Sequence, residues 1–366
     1  MSLKEVHQTL RRYGLLPPRM LTVAVTEACN QRCAHCWKSA GNSEHPREVP
    51  LQSLLGLLRE FRALGGEGVR LTGGEPLRHP QWLELVRFAA AEGFETVALQ
   101  TNGVLFDAER VAALKELDFP GLSIQISLDG ASSATHDLVR GKGAFDGVMR
   151  ALEQLALGGL MPRVSVFCTE MRHNLEEIPA VMALAERLGV GAVAAGMLVS
   201  CGRAASGDEV QPPEPAQYLR LWQRYQEDPG FRELYSRVGT VAALEWGDCT
   251  SSRAGACNFL ENPYLTARGE LFPCVLCHAQ PYSVGGVLEG GVAEGIVRGA
   301  PLWSELLAAS RRRSSEIAAC RECSEGAKCA GGCLGRAWGS YGDVMAPDDR
   351  CEVRRVLAAR RTQVSS

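Results

Sequence analysis

Fourteen cysteines in 366 residues, gathered toward the two ends of the chain, restrict this protein more than any other feature. Three fall within 29–36 and nine within 249–351, while Cys168 and Cys201 stand apart. The opening segment, MSLKEVHQTLRRYG, has no apolar signal-peptide core, so the expected location is cytoplasmic. A reducing cytosol keeps thiols free, which disfavours disulfides and leaves metal ligation to explain the clustering. The expected layout is a conventional fold in the middle, flanked by two metal-binding regions.

Composition sets only broad limits. Apolar residues make up 46% and charged residues 22%, ordinary for a soluble globular chain. The net charge is −3 with the bases dispersed, so no nucleic-acid partner is expected. No apolar run approaches the roughly 20 residues that span a bilayer, so no membrane partner is expected either. The one basic run, Arg311-Arg312-Arg313, reads as the wet face of a helix.

Between residue 20 and about 200, β-rich stretches alternate with helical patterns. Strands are expected at Met20–Thr26, Gly68–Thr72, Thr96–Gln100, Leu122–Leu128, Arg163–Thr169 and Ala192–Val199. The segments between them carry helical periodicity; Phe145, Val148, Met149, Leu152 and Leu155 fall on one face. Asp107 and Asn174 are placed to cap helices, and Gly189 to end one. Six strands separated by helices imply a parallel α/β sheet with right-handed crossovers. A partial (β/α)6 TIM barrel fits best, and its chemistry belongs at the C-terminal strand ends.

Directly after the first strand, TEACNQRCAHCW gives Cys29-x3-Cys33-x2-Cys36. Three thiolates on one loop can hold three irons of a [4Fe–4S] cluster and leave the fourth iron open. Zinc would ask for a fourth ligand, a place His35 offers. LTGGEP ends strand two, where Gly73 and Gly74 admit close backbone approach and Glu75 adds a carboxylate. SLDG after strand four brings Ser127 and Asp129 to the same rim, and HDLVRGKG follows with Arg140. In TNG, Asn102 reads as a turn residue.

CxxxCxxC followed by an aromatic residue (Trp37), with these rim motifs in this order, resembles the radical S-adenosylmethionine (SAM) superfamily. The resemblance implies that SAM binds the open iron and is cleaved to a 5′-deoxyadenosyl radical that abstracts a substrate hydrogen. It implies that Gly73, Gly74 and Glu75 receive the SAM amino group, that Ser127 and Asp129 make ribose and carboxylate contacts, and that Arg140 pairs with the SAM carboxylate.

The last third carries Cys257-x11-Gly269-x4-Cys274, then Cys320-x2-Cys323-x5-Cys329-x3-Cys333, then Cys351. This pattern resembles the SPASM domain of peptide-maturing radical SAM enzymes, which implies two auxiliary [4Fe–4S] clusters. By that resemblance the first would use Cys257, Cys274, Cys333 and an upstream cysteine, which Cys249 fits. The second would use Cys320, Cys323, Cys329 and Cys351. A pair of zinc sites is the alternative reading of the cysteines, and metals are expected to supply much of this region's stability. Val275 stands where sulfatase-maturing relatives carry an aspartate. Cys201 and Cys277 are candidate hydrogen donors, with packed or idle thiols the simpler reading; Cys168 is expected in the core and His136 in a loop.

The expected division is an N-terminal helical segment 1–17, a barrel 18–225, a helical bridge 226–248, a SPASM region 249–355 and a frayed tail 356–366. About 20 residues before the barrel cannot form a leader-binding module, so leader recognition would fall to a separate protein or to the barrel mouth. The expected substrate is a peptide or small protein that receives a crosslink or another oxidative change, with a flavodoxin- or ferredoxin-type electron donor. A porphyrin or other small molecule is the alternative, and a non-catalytic zinc-stabilised scaffold is the outsider.

Overall fold

The alternating pattern folds into a parallel sheet because each β-rich run is covered by the helix that follows it. A computed structural model describes the chain apart from residues 42, 207–208, 243, 246–256, 278–280 and 365–366, and apart from the side chains of 327 and 361–364. Six strands, β1 Met20–Thr26, β2 Gly68–Gly73, β3 Thr96–Thr101, β4 Leu122–Ser127, β5 Val164–Glu170 and β6 Ala192–Met197, lie where the periodicity places them. Each pairs in parallel with the next. Their covering helices include Leu51–Ala63, Trp82–Ala91, Ala108–Lys115, Ala144–Leu157 and Ile178–Arg187. In Ala144–Leu157 the predicted face buries Val148, Leu152 and Leu155, with Phe145 and Met149 at its margin. Asp107 caps its helix by accepting from Arg110 N at 2.8 Å, and Gly189 takes φ +77° just past Arg187.

The sheet runs beyond the six predicted strands at both edges, in the order β7-β6-β5-β4-β3-β2-β1-β8-β9. β7 (Gly239–Val241) adds in parallel to β6. It lies in the stretch expected to be a purely helical bridge, because three residues are too few to show a period. On the other side β8 (Tyr264–Leu265) pairs in parallel with β1, and β9 (Leu271–Phe272) returns antiparallel. The cysteine-rich region is thus hydrogen-bonded into the barrel sheet.

The C-terminal region, expected to draw much of its stability from metals, also shares an apolar core with the barrel: in the 25-residue helix Val292–Glu316, Trp303, Ile296 and Ala300 are fully buried within the same apolar cluster. Two further expectations are corrected here. The tail is not frayed as far as Val364; helix Cys351–Val364 carries it, and Leu357 is buried. The basic run is not all wet either. Arg311 and Arg312 are exposed, but Arg313 is 1% exposed. Its guanidinium donates to Ala330 O at 3.3 Å, to Gly331 O at 2.6 Å and to Val344 O. One side chain so ties together two stretches of backbone, 330–331 and 344, in the cysteine region. Arg313→Ala strands three buried carbonyls, so stability should fall by about 2–4 kcal/mol. A urea midpoint that does not move would contradict that role.

Candidate active site

The C-terminal ends of β1 to β6 open into a cavity of about 560 Å³, and Cys29, Cys33 and Cys36 line it. The loop that carries them leaves β1 at Thr26 and is held from three sides. Ala34 N donates to Val139 O at 2.8 Å, and Asn102 Nδ2 donates to Asn30 Oδ1 at 2.8 Å. Arg203, just after β6, donates from Nε to Cys33 O and from Nη1 to Ala40 O, both at 2.8 Å. Gly202 lets that segment approach, since a Cβ there would sit 2.5 Å from Trp37 O at φ +58°.

Gly73 and Gly74 line the same cavity from the end of β2. A Cβ on either would lie 2.3 Å from a backbone oxygen of the cysteine loop segment, Thr26 O for Gly73 and Ala28 O for Gly74. Only glycine lets β2 run this close to the loop. Glu75 is placed differently from the expected contact. It is fully buried, with Oε1 accepting from Thr101 Oγ1 at 2.7 Å and Leu77 N at 3.1 Å, and Oε2 from Asn102 N at 2.8 Å. Burial pushes its carboxyl up to about 6, against the opposing pull of those donors. The carboxylate braces β2 to β3, and the cavity receives the glycine backbone. Asn102 is the turn residue the sequence predicts and a wall residue as well. Its Oδ1 accepts from Val104 N in a turn at 3.1 Å, and the residue lines the cavity.

Ser127 lines the cavity from β4. Asp129 is fully buried behind it. Its Oδ2 accepts from Arg140 Nε at 2.5 Å and lies 3.3 Å from His35 Nε2, while Oδ1 accepts from Thr169 N at 2.7 Å. Burial alone would raise this carboxyl, but Arg140, His35 and the Thr169 N–H hold it down to about 2. His136 sits in helix Ser133–Arg140, not in a loop, and its Nδ1 accepts from Asp129 N at 3.0 Å. Asn174 stands at the N-cap position of Leu175–Glu177, but its side chain makes no capping bond: its Nδ2 donates to Asp129 O and Thr169 O, both at 2.9 Å. The short polar side chain that suggests a cap serves equally well to tie two loops together.

Arg140, anchored by Asp129, reaches the cavity with Nη1 3.9 Å from Cys33 Sγ and Nη2 3.3 Å from His35 Nε2. A guanidinium there stabilises thiolate charge on the loop. Among the described lining residues, Lys38, Arg140, Arg203, Arg336 and Arg354 are cationic and none is acidic. Such a wall suits bound thiolates and a carboxylate-bearing ligand. Lys38 was not singled out from the sequence, although it follows Trp37 directly. Its Nζ lies 4.7 Å from the ring centroids of both Trp37 and Tyr264 and 3.5 Å from Gly73 O, and burial lowers its pKa to about 7.

The C-terminal cysteines fall into two groups. Cys320, Cys323, Cys329 and Cys351 lie within electrostatic reach of one another. Gly326 lets their loop close, since a Cβ there would meet Cys320 O at 2.2 Å. Cys257, Cys274 and Cys333 form the second group. Cys333 leaves its sequence neighbours to join it, and Arg354 lies between the groups with Nη1 3.9 Å from Cys329 Sγ. Cys249 lies outside the described residues. Among the described residues, no three Cys, His, Asp or Glu side chains are gathered tightly enough for a single metal ion. Cys201 is not among the residues that line the cavity, and its Sγ lies against Gly339. Cys168 is buried in β5.

Comparison with known proteins bears directly on this arrangement. Residues 23–185 match the model of the radical SAM superfamily. Over 347 residues the chain is 31% identical to mycofactocin maturase MftC of Mycobacterium ulcerans (strain Agy99), covering 93% of this chain and 89% of that protein. The chain belongs to the radical SAM superfamily. It is also 28% identical over 354 residues to the AdoMet-dependent heme synthase of Methanosarcina barkeri (strain Fusaro / DSM 804), 92% of this chain and 97% of that one. Its fold matches that of native anSMEcpe with bound AdoMet and Kp18Cys peptide, with a TM-score of 0.72 at 17% identity over 95% of this chain and 99% of that one.

As a radical SAM enzyme the chain uses a [4Fe–4S] cluster and SAM. The residues fit both: three thiols face a cavity, a side-chain-free backbone stands beside them, and the surrounding wall is cationic. When bound, the reduced cluster supplies the electron that breaks the carbon–sulfur bond of SAM and so releases the hydrogen-abstracting group. The protein's own part is to hold the loop, keep Arg140 at Cys33 and shield the site from water. Among the described residues no helix is long and apolar enough to cross a membrane.

Proposed function

We propose that this radical SAM enzyme oxidatively modifies a ribosomally made peptide or small protein, forming a crosslink or making a related change. The observation that carries the reading is one shared cavity: Cys29, Cys33 and Cys36 line it from the barrel, and Cys333, Arg336 and Arg354 from the C-terminal region. A substrate radical formed there lies beside the thiols of that region, where a cluster can accept the electron that oxidation releases. Arg336 fixes the junction by donating to Leu198 O at 2.6 Å and pairing with Asp349 at 2.8 Å. The likeness to a maturase over nearly the whole chain supports a peptide substrate.

In this reading Cys29, Cys33 and Cys36 hold the SAM cluster, and the Gly73-Gly74 backbone, Ser127 and Arg140 meet SAM. Glu75 and Asp129 act from behind as braces. Cys320, Cys323, Cys329 and Cys351 hold the second auxiliary cluster, and Cys257, Cys274 and Cys333 three corners of the first. The working division is 18–225 for SAM chemistry and 249–355 for the auxiliary clusters. A flavodoxin- or ferredoxin-type donor would deliver electrons, and the peptide leader would be bound by a separate protein or at the barrel mouth. The 28% identity to a heme synthase keeps oxidation of a porphyrin or other small molecule as the second reading.

The test is product formation under anaerobic reduction, with a short peptide encoded beside this gene and with an iron porphyrin as the rival substrate. The peptide should lose a pair of hydrogens, and deuterium from labelled peptide should appear in deoxyadenosine. Turnover of the porphyrin alone would favour the second reading. Cys320→Ala or Cys351→Ala should keep deoxyadenosine formation within about tenfold of the parent while product falls by at least about a hundredfold. Normal product from either variant would remove the auxiliary cluster from the mechanism.

A further inference from the structure

Cys277 plays no part in the sites assigned so far, yet its surroundings are unusual for a packing thiol. It is 2% exposed. An ordinary core cysteine is buried as a small apolar side chain, whereas the ionisable groups within electrostatic reach of this one are three further thiols, Cys274, Cys333 and Cys257. Those three are the thiols gathered for the first auxiliary cluster.

The backbone shows how the four come together. Cys277 N donates to Cys274 O at 3.1 Å, closing a tight turn across Cys274-x2-Cys277. The turn packs against Gly335: a Cβ there would lie 2.3 Å from Leu276 O and 3.1 Å from Cys277 N. Gly335 lies in the first turn of helix Leu334–Tyr341, whose N-cap is Cys333, so the Cys274–Cys277 turn is pressed onto the helix start beside Cys333. Leu260 N donates to Pro273 O at 3.0 Å, which ties the segment after Cys257 to the residue before Cys274.

We propose that Cys277 is the fourth thiolate of the first auxiliary cluster, in the position the sequence pattern offered to Cys249. The proposal rests on the reading that Cys257, Cys274 and Cys333 hold a cluster. It also deepens that reading, because four thiolates leave no iron of this cluster open. The cluster then accepts an electron from the substrate radical and does not hold the substrate itself.

The test uses the full chain, reconstituted anaerobically with iron and sulfide, as parent and as Cys277→Ala, Cys277→Ser, Cys249→Ala and Cys257→Ala. Iron per chain and the low-temperature EPR of oxidised and reduced samples are the readouts. Three clusters give about twelve irons in the parent. Cys277→Ala should drop toward about eight, or show the oxidised signal of a three-iron cluster in place of one four-iron cluster. Cys277→Ser, which keeps a ligating oxygen and nearly the same volume, should hold its iron but shift the reduced-state signal. Cys249→Ala should match the parent in both. An unchanged Cys277→Ala, or an equal loss in Cys249→Ala, overturns the proposal. Full iron and unchanged signals in Cys257→Ala would instead remove the cluster reading beneath it.

Discussion

Alanine at Cys29, Cys33 or Cys36 is expected to reduce deoxyadenosine release to the level of reductant and SAM without protein. Changing a group that merely orients a metal ligand costs ten- to a hundredfold, so removing a ligand should exceed about a hundredfold. The loop has no spare thiol to substitute. Cys201, the nearby candidate after β6, points its sulfur at Gly339, and Cys168 is sealed in β5. Burial raises the Cys29 thiol to about 11 and also raises Cys33, where Arg140 opposes it. These sulfurs are therefore held as thiolates by what they bind and not by their surroundings alone. The check is deoxyadenosine by chromatography, with iron content measured on the same sample. Substantial cleavage by any of the three variants would mean that the cluster is held elsewhere.

Asp129→Ala should have the next largest effect, although Asp129 does not line the cavity. Its carboxylate is the counter-charge of Arg140, which is 9% exposed, and it also receives Thr169 N–H and meets His35. Removing it leaves a guanidinium buried without compensation beside Cys33. Breaking a buried pair in this way costs about 3–5 kcal/mol. Arg140 would no longer be aimed at the loop, so SAM cleavage should fall together with stability. Asp129→Asn keeps the shape and one acceptor, and should lie between parent and alanine. Denaturant midpoints on reconstituted protein measure the first effect and initial cleavage rates the second. A midpoint within about 1 kcal/mol of the parent would show that Arg140 has another partner in reserve.

Much of this was legible in the sequence, for physical reasons that also explain what was missed. The six barrel strands and their helices announce themselves by period, because a sheet covered on both faces needs continuous apolar runs and its helices need one apolar stripe. The cysteine motifs are legible because ligand spacing on a loop is local. Long-range partnerships are not. Nothing in the spacing of Glu75 reveals that Thr101 at the end of β3, Asn102 just after it and the nearby Leu77 N–H supply the donors that turn its carboxylate from the cavity. Nothing in RRR marks its third arginine as buried, since exposure depends on the loops at 330–331 and 344 that fold back over it. β8 is two residues long and exists only because β1 offers it an edge. Lys38 and Arg203 each had a visible signal, one beside the aromatic residue that closes the first motif and one after Gly202 in the segment that follows β6. Their roles need the cavity to be seen.

The most direct test is electron–nuclear double resonance on the reduced, anaerobic enzyme mixed with SAM carrying nitrogen-15 in its amino group. A coupling between that nitrogen and the cluster at Cys29, Cys33 and Cys36 is predicted, because an iron left open beside the Gly73-Gly74 backbone takes the amino group directly. A reduced cluster whose spectrum ignores SAM and shows no nitrogen coupling would contradict the account.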